Sequence, residues 1–526
     1  MKLDPSKGLT CFGFTCGWRW YAVAFFLGFL LSLSLPPIYA LPLLPVAFGG
    51  LLIMLSRCPS IWKAGVIGWW FGFGYFLFSF HWIGEALLVD PDRFGWFAAP
   101  AVIFLTAGLA IFISLAGTLV WLWPARGWVR ALTLATAWAI SEWLRGNILS
   151  GFPMSPIGIS WSISDSMLQI CAVIGVIGLS FITVFVSALP ATQLCDTFYS
   201  GSRRTIFLVF CSLALLSLIW AGGKIRLAVI DTDYARERVN VRLVQGNIAQ
   251  NMKWTPYEKQ NIIQKYLKLS LVDVPSNVDV VIWPETAMPV YISSPGQLFN
   301  YVKHAIPKNG FLITGAPRIE YDGENKKIWN SLFVLESFGF KSAVYDKHHL
   351  VPFGEYIPLR SILGLNPIVE SSIDFSSGPG PVTIEFSNLP PFSALICYEG
   401  IFPNEVVEKN SHPKWLLNIT NDSWFGDLFG PHQHFQTVRL RSIEEGLPLL
   451  RVANTGISAI VNSLGEVEKS LELGREGIID SAIPPPLENP TPYSILRDWV
   501  LLIFVFMAML ISLISVRMSS KLKGWR

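Results

Sequence analysis

A single cysteine, Cys397, lies in the long polar stretch of this chain, directly after the apolar run 392–396. One thiol cannot form a disulfide within that stretch, so the residue needs another explanation. The run is typical of a buried strand, and thiol nucleophiles are often found where a strand ends in a tight turn. The alternative is that Cys397 is a small buried apolar residue, as most free cysteines are.

Two charged residues occur in the same local setting, each at the end of an apolar run. Glu285 ends the run 280–285, and Lys347 ends the run 343–347. We expect side chains at the ends of neighbouring strands to converge on one cleft. There, a carboxylate can accept the thiol proton, an ammonium can stabilise a thiolate and later an oxyanion, and the thiolate can attack an acyl carbon. Taken singly, Glu285 is explained as a strand-end charge and Lys347 as a solvated loop residue.

The composition indicates a membrane protein that also carries a polar folded domain. Hydrophobic residues make up 52% and charged residues 15% of the 526 residues, and the mean hydropathy is +0.46. A helix needs roughly 20 apolar residues to cross the ~30 Å hydrocarbon core of a membrane. Apolar runs of this kind lie at roughly 18–35, 38–56, 62–84, 97–123, 128–145, 166–192, 204–222 and 496–516. We therefore predict a polytopic α-helical membrane domain of about eight spans.

The apolar runs also predict the domain boundaries. Residues 1–223 form a membrane domain with seven spans, residues 224–495 form a soluble domain, and residues 496–526 form the last span and a basic tail. In the soluble domain, short β-branched runs alternate with amphipathic helical patterns, which indicates one α/β domain. Its helices are expected at 257–272, 296–305, 404–409 and 435–445.

Basic residues predict the orientation of the chain in the membrane. They cluster at the N-terminus, in every second loop and at the C-terminus: Lys2, Lys7 and Arg19; Arg57 and Lys63; Arg126 and Arg130; Arg203 and Arg204; Arg517, Lys521, Lys523 and Arg526. Because cytoplasmic loops are enriched in Lys and Arg, both termini should be cytoplasmic and the soluble domain extracytoplasmic. A single unpaired cysteine is unusual in an oxidising compartment, which favours a chemical role for Cys397.

Two further pairs of polar residues allow more than one interpretation. Glu142 and Arg145, near the outer end of the fifth span, form either an interfacial i, i+3 pair or contacts to a lipid headgroup or to the mouth of the soluble domain. His432 and His434 are more typical of a solvated loop than of a metal-ligand pair. The sequence has no phosphate-binding G-x-x-x-x-G-K-[ST] loop and no paired Cys/His set at metal spacing. We therefore expect no metal, no cofactor and no nucleic-acid partner.

Three segments carry a resemblance to a known superfamily. They are Trp-Pro-Glu at 283–285, Tyr-x-Lys-x-x-Leu-Val-Pro-Phe-Gly-Glu at 345–355 and Cys-Tyr-Glu-Gly at 397–400. They resemble the carbon–nitrogen hydrolase (nitrilase) superfamily, whose catalytic set is Glu, Lys and Cys. Together with the apolar runs, they make nearly the whole chain similar to the bacterial apolipoprotein N-acyltransferase family. The chain departs from that family at Leu447, where arginine is frequent, and this affects a peripheral contact.

The resemblance implies a fold and roles for the site residues. The soluble domain is expected to be a nitrilase-like αββα sandwich with Glu285 as general base, Lys347 as oxyanion and charge partner, and Cys397 as nucleophile. Supporting roles are implied for further residues: Glu355 would orient Lys347, Tyr398 and Glu399 would shape the cleft, Trp254 would lie near its opening, and Asn330 would contact it.

The resemblance also implies a reaction and its partners. Cys397 would take a fatty acyl chain from a phospholipid as a thioester, and the α-amine of a lipoprotein's N-terminal diacylglyceryl cysteine would then accept it. A monomer in the bacterial inner membrane is expected, with a periplasmic catalytic domain. One alternative is a membrane-tethered amidase or nitrilase acting on a soluble amide. The other, a transporter or receptor, leaves the Glu, Lys and Cys set unexplained.

Overall fold

The computed structural model of the chain describes residues 17–123, 125–195, 202–232, 239–275, 277–323, 325–337, 342–358 and 374–523. Within these ranges, helices form the N-terminal part and the C-terminal end, and two β-sheets lie between them. The polar stretch of the sequence is therefore the part that folds into sheets, and the apolar runs are helical.

The helices before the first strand are α1 (Trp18–Ser32), α2 (Leu43–Ser56), α3 (Ile61–Ser79), α4 (Pro91–Leu122), α5 (Trp128–Asn147), α6 (Asp165–Leu168), α7 (Cys171–Ala188), α8 (Thr192–Cys195) and α9 (Ser202–Val229). The helices after it are α10 (Gln250–Lys253), α11 (Lys259–Leu271), α12 (Pro295–Val302), α13 (Phe429–Glu445), α14 (Pro492–Leu496) and α15 (Trp499–Lys523). Each apolar run overlaps one of these helices. Helix α9 continues beyond the domain boundary predicted at 223.

Length and apolar composition qualify several helices as membrane spans. Helices α4, α7 and α9 are each long and apolar enough to cross a membrane, and α3 with the 3₁₀ turn His81–Leu87 is a further candidate, bent by 52°. Helices α1 and α2 and the segment Trp499–Ser515 of α15 are apolar but shorter. Glycine lets α1 and α3 touch backbone to backbone, because a Cβ at Gly28 would lie 2.0 Å from the Phe71 carbonyl oxygen.

The described strands form two six-stranded sheets. They are β1 (Asn240–Gln245), β2 (Val280–Ile282), β3 (Phe311–Asp322), β4 (Asn325–Glu336), β5 (Ser342–Asp346), β6 (Thr383–Phe386), β7 (Leu389–Ile396), β8 (Trp415–Thr420), β9 (Leu449–Ala453), β10 (Ser458–Val461), β11 (Val467–Leu471) and β12 (Gly477–Ala482). The first sheet has the order β12-β1-β2-β3-β4-β5 and the second β11-β10-β9-β8-β7-β6. Strands β2 and β5 run in the same direction, so their C-terminal ends lie at one edge of the first sheet.

The two sheets pack face to face around a shared apolar core. Ile282 of the first sheet and Ile396 of the second belong to one cluster of buried side chains. Because side chains alternate along a strand, Val281 points to the outer face, where it packs with Ile263 of α11. Helix α13 covers the outer face of the second sheet through residues such as Val438. This arrangement is the αββα sandwich that the family resemblance implied, and it fits the single α/β domain predicted from the residues.

Two local predictions were wrong. The segment 404–409 forms turns rather than a helix. A side chain from β7 helps to hold it as a loop: the Ser393 hydroxyl donates to the Val406 carbonyl at 2.6 Å. His432 and His434 do not lie in a solvated loop, since α13 begins before them and His434 is fully buried.

Polar contacts join the sandwich to the helices that precede it. The Trp82 indole and the Ser155 hydroxyl both donate to Gln433 Oε1 of α13, at 3.1 and 3.0 Å. The Glu444 carboxylate accepts the main-chain N–H of Val176 at 2.9 Å. That N–H lies at a break in α7, where the preceding glycine has φ +65°. Because a helix break leaves main-chain donors without helical partners, the carboxylate from α13 completes the broken helix.

Candidate active site

Glu285, Lys347 and Cys397 meet between the two sheets. Lys347 directly follows β5, Cys397 directly follows β7, and Glu285 lies just beyond β2. Lys347 Nζ is 4.0 Å from Glu285 Oε1. All three side chains are buried, although two of them are charged. The convergence expected from strand ends is therefore present in the structure.

Cys397 occupies a strained position at the end of its strand. Its φ is +52°, in the left-handed region that residues other than glycine rarely adopt. The Asn418 side-chain amide donates to the Cys397 carbonyl at 3.3 Å and helps to hold this turn. Strained backbone of this kind persists only where the surroundings enforce it, and it is frequent at active sites.

Glu355 and Asn330 hold the charged groups of the site in place. Glu355 accepts from Lys347 Nζ at 2.9 Å and from the Val351 main-chain N–H at 2.8 Å. The Asn330 amide donates both to Glu285 Oε1 at 2.7 Å and to Glu355 Oε1 at 3.0 Å. Asn330 thus bridges the two carboxylates, and Glu355 fixes the position of the ammonium.

The electrostatics of the site suit proton transfer from a thiol. Burial raises the pKa of Cys397 well above its usual range, Glu285 raises it further, and Lys347 opposes the shift. Burial also raises the pKa of Glu285, against the influence of Lys347. Although burial opposes its charge, Lys347 has a raised pKa because Glu355 and Glu285 lie beside it. The site therefore combines a thiol that resists ionisation, a carboxyl group of increased basicity and a cation that its two acidic neighbours stabilise.

Glu399 ties the loop after β5 to the loop after β7. Its carboxylate accepts the main-chain N–H groups of His348 at 2.7 Å and of Ile396 at 2.7 Å. It also accepts the Tyr345 hydroxyl at 2.8 Å. One of these N–H groups directly follows Lys347 and another directly precedes Cys397. Although burial opposes its charge, a hydrogen bond from the His348 imidazole, whose Nδ1 lies 2.7 Å from the carboxylate, holds the pKa of Glu399 below the usual range.

Tyr398 and Trp254 were implied to shape the cleft and to lie near its opening, and the structure gives the contacts of both residues. The buried Tyr398 hydroxyl donates to the Gly151 carbonyl at 3.1 Å, in the segment that follows α5. Trp254 is half-buried directly after α10, with its ring centroid 6.3 Å from that of Tyr291. Tyr398 therefore contacts the segment after α5, whereas Trp254 lies beside the segment after β2, and its place at the opening of the cleft stays a prediction.

Glu142 and Arg145 are not interfacial residues, because both are buried. The Arg145 guanidinium donates to the carbonyls of Phe152 and Met154 at 2.6 and 2.7 Å. Glu142 Oε1 accepts the Ile157 main-chain N–H at 2.8 Å. The two side chains hold the segment that contacts Tyr398. Of the interpretations given above, this arrangement favours a contact near the mouth of the soluble domain.

A group of buried polar residues near Cys397 was not predicted from the sequence. Asp422 lies 2.9 Å from His434 Nδ1 and accepts from Arg451 at 2.7 Å, and all three side chains are fully buried. These three residues are distant from one another in sequence, so no local pattern signalled that they would meet. Lys253 was missed as well, because a lysine beside a tryptophan gives no sequence signal of burial.

One cluster has the residue types of a metal site. Ligand atoms of His348, His349 and Glu405 lie within 4.8 Å of one another. Although burial opposes it, hydrogen bonds to Glu399 and Glu405 raise the pKa of His348 to about 9. A protonated imidazole has no lone pair for a metal, and His349 Nδ1 is already 2.7 Å from Glu405. The contacts of these residues are those of an ion-paired cluster and require no metal.

Comparisons with known proteins match both parts of the chain. The model of the apolipoprotein N-acyltransferase N-terminal domain matches residues 27–189, and the carbon–nitrogen hydrolase model matches residues 240–493. The apolipoprotein N-acyltransferase of Rhodopseudomonas palustris is 36% identical, over 95% of this chain and 96% of that protein. The one from Brucella suis is 37% identical, over 89% of this chain and 91% of that protein. The chain belongs to the apolipoprotein N-acyltransferase family. Its sandwich is the carbon–nitrogen hydrolase domain of that family.

The Glu399 network generates a stability prediction. Glu399→Gln would replace an acceptor oxygen by an NH₂ group that faces N–H donors, and a hydrogen bond to a charged group contributes roughly 1.5–3 kcal/mol. We expect a lower thermal unfolding midpoint for the purified variant and weaker activity. The matched control is Glu472→Gln. The Glu472 side chain is 83% exposed, so this variant should leave the midpoint unchanged. Equal midpoints for the two variants would mean that Glu399 does not hold the two loops together.

Proposed function

We propose that this protein transfers a fatty acyl chain from a phospholipid, through a thioester on Cys397, to the α-amine of the N-terminal diacylglyceryl cysteine of a lipoprotein. Family membership supports lipoprotein N-acylation. The observation that carries the mechanism is the buried set of Glu285, Lys347 and Cys397, next to helices that are apolar enough to lie in a membrane.

In the first half-reaction, the Cys397 thiol gives its proton to the Glu285 carboxylate. The thiolate attacks the carbonyl carbon of the phospholipid ester, and the Lys347 ammonium stabilises the resulting oxyanion. The carbon–oxygen bond to glycerol then breaks, Glu285 returns the proton to the leaving oxygen, and a lysophospholipid departs. Because burial raises the pKa of Glu285, its carboxylate is a better base for this transfer than one in water.

In the second half-reaction, the amine of the lipoprotein attacks the thioester carbon. The carbon–sulfur bond breaks, and the proton lost by the amine passes through Glu285 to the Cys397 sulfur. Conversion of a thioester to an amide is downhill, so the transfer needs no nucleotide. A cleft that excludes water protects the thioester until the amine arrives.

We propose that both substrates reach the cleft from the outer leaflet of the bacterial inner membrane. The chain would cross the membrane about eight times as a monomer, with cytoplasmic termini and a periplasmic catalytic domain. The contacts of the sandwich with the segment after α5 support this orientation, since they lie at the opposite end of α5 from the basic Arg126 and Arg130. The proposed domains are 1–223, 224–495 and 496–526.

A membrane-tethered amidase would use the same three residues, with water in place of the amine. Family membership does not favour it, and such an enzyme would lose the acyl group from Cys397 to water without any amine.

The proposed roles predict how site variants form the acyl-enzyme. With labelled phospholipid and no acceptor, wild-type enzyme should accumulate hydroxylamine-sensitive label on Cys397. Glu285→Gln should form the adduct far more slowly, because no base removes the thiol proton, and Lys347→Met should lose roughly 10²–10³ in rate with its oxyanion partner. Cys397→Ser should carry no hydroxylamine-sensitive label.

The matched control for this experiment is Glu320→Gln, since Glu320 is an exposed carboxylate of the first sheet. It should be labelled like the wild type. Wild-type labelling of Glu285→Gln would mean that the base lies elsewhere and that the assignment of the catalytic set is wrong.

The proposed orientation predicts which parts of the chain a protease can reach. In intact spheroplasts, added protease should cleave within 224–495 but leave an epitope tag after residue 526 intact. Detergent should then expose the tag. Protection of 224–495 in intact spheroplasts would reverse the orientation and contradict the proposed access from the outer leaflet.

A further inference from the structure

Lys253 is a buried cation beside the catalytic set. Its side chain has 0% exposure, and lysine is almost never fully buried unless its charge is compensated. It is the last residue of α10, directly before Trp254. Its ammonium donates to the main-chain carbonyl of Glu285 at 3.3 Å. The proposed reaction gives this residue no role.

The charges around Lys253 indicate what the ammonium compensates. Glu285 and Glu355 are two buried carboxylates, and Lys347 is close to both. However, Lys347 Nζ lies 2.9 Å from Glu355 and 4.0 Å from Glu285, so its charge is offset mainly by Glu355. With Lys253 the site holds two carboxylates and two ammonium groups. A buried charge without compensation is strongly unfavourable, and Lys253, whose ammonium contacts the main chain of Glu285, is the second cation of the site.

The ionisation of the two groups is coupled. Burial lowers the pKa of Lys253 to about 8, although Glu285 and Cys397 oppose the shift. In turn, Lys253 lowers the pKa of Glu285, against the larger effect of burial. At neutral pH, Lys253 is therefore mostly protonated, and its charge favours the ionised form of the base.

We propose that Lys253 is a positioning residue for the general base: its ammonium fixes the main chain at Glu285 and keeps the Glu285 carboxylate ionised for the Cys397 thiol. The inference rests on the acyl transfer proposed above. In the step that it assists, the proton moves from sulfur to the Glu285 carboxylate. Lys253 forms no covalent bond and gives up no proton.

Three substitutions separate the charge of Lys253 from its hydrogen bond. Lys253→Met removes both, Lys253→Gln retains a donor without the charge, and Lys253→Arg retains the charge. The rate of Cys397 labelling by phospholipid, measured without acceptor from pH 4 to 9, should rise as Glu285 ionises. We expect the midpoint of this rise to move upward by roughly one pH unit in the Met and Gln variants and to stay near the wild-type value in the Arg variant.

The matched control is Lys268→Met, which removes the same charge from an exposed position on α11 and should leave the pH profile unchanged. Each variant is first compared with the wild type by thermal unfolding. If Lys253→Met does not fold, Lys253→Gln alone carries the test, because it loses the charge but still can donate to the carbonyl. A wild-type midpoint in Lys253→Gln, with or without a uniform loss of rate, would overturn the inference.

The same experiment separates this inference from the proposed function. Absence of label on the wild-type enzyme would contradict acyl transfer itself. Normal labelling of the wild type, together with unshifted profiles of the folded Lys253 variants, would contradict only the role assigned to Lys253.

Discussion

The structure of the active site depends on the mutual compensation of charges that are removed from water. Glu285, Glu355, Lys347 and Lys253 are all buried, and removing one partner from such a group typically costs 3–5 kcal/mol. Asn330 adds a neutral bridge between the two carboxylates. The same lack of water that makes these charges costly to bury raises the basicity of Glu285 and keeps the thiol protonated until a substrate is bound.

This constraint explains why the surrounding loops are so heavily hydrogen-bonded. A charge network of this kind works only if its members stay at fixed separations. Glu285 and Lys347 follow strands of the first sheet, whereas Cys397, on which they act, follows a strand of the second. Glu399 joins the loops that carry Lys347 and Cys397. Tyr398 and His349 then attach these loops to the carbonyls of the segment after α5. The geometry of the site is thereby connected to the helices that we propose to lie in the membrane, where both proposed substrates would be anchored.

The sequence was most informative where strand ends and residue types coincide. Glu285, Lys347 and Cys397 were predictable because each ends an apolar run. The ends of neighbouring strands border one cleft, and this does not depend on the conformation of the loops. Lys253 and the Asp422–His434–Arg451 group were not, because their burial arises from contacts distant in sequence. The segment 404–409 was predicted as a helix from local preference alone, and tertiary contacts overrode that preference. The role of Asn330 as a bridge was likewise invisible until the strands were paired.

The central claim is that Cys397 carries an acyl group that an amine, rather than water, removes. The most direct test incubates the purified enzyme with phospholipid, records the peptide that contains Cys397 by mass spectrometry, and then adds a peptide with an N-terminal diacylglyceryl cysteine. We predict that a fatty acyl adduct on Cys397 persists in buffer, disappears after the peptide is added, and reappears as an amide on the peptide's α-amine. An adduct that decays at the same rate without the peptide, with release of free fatty acid, would contradict the account.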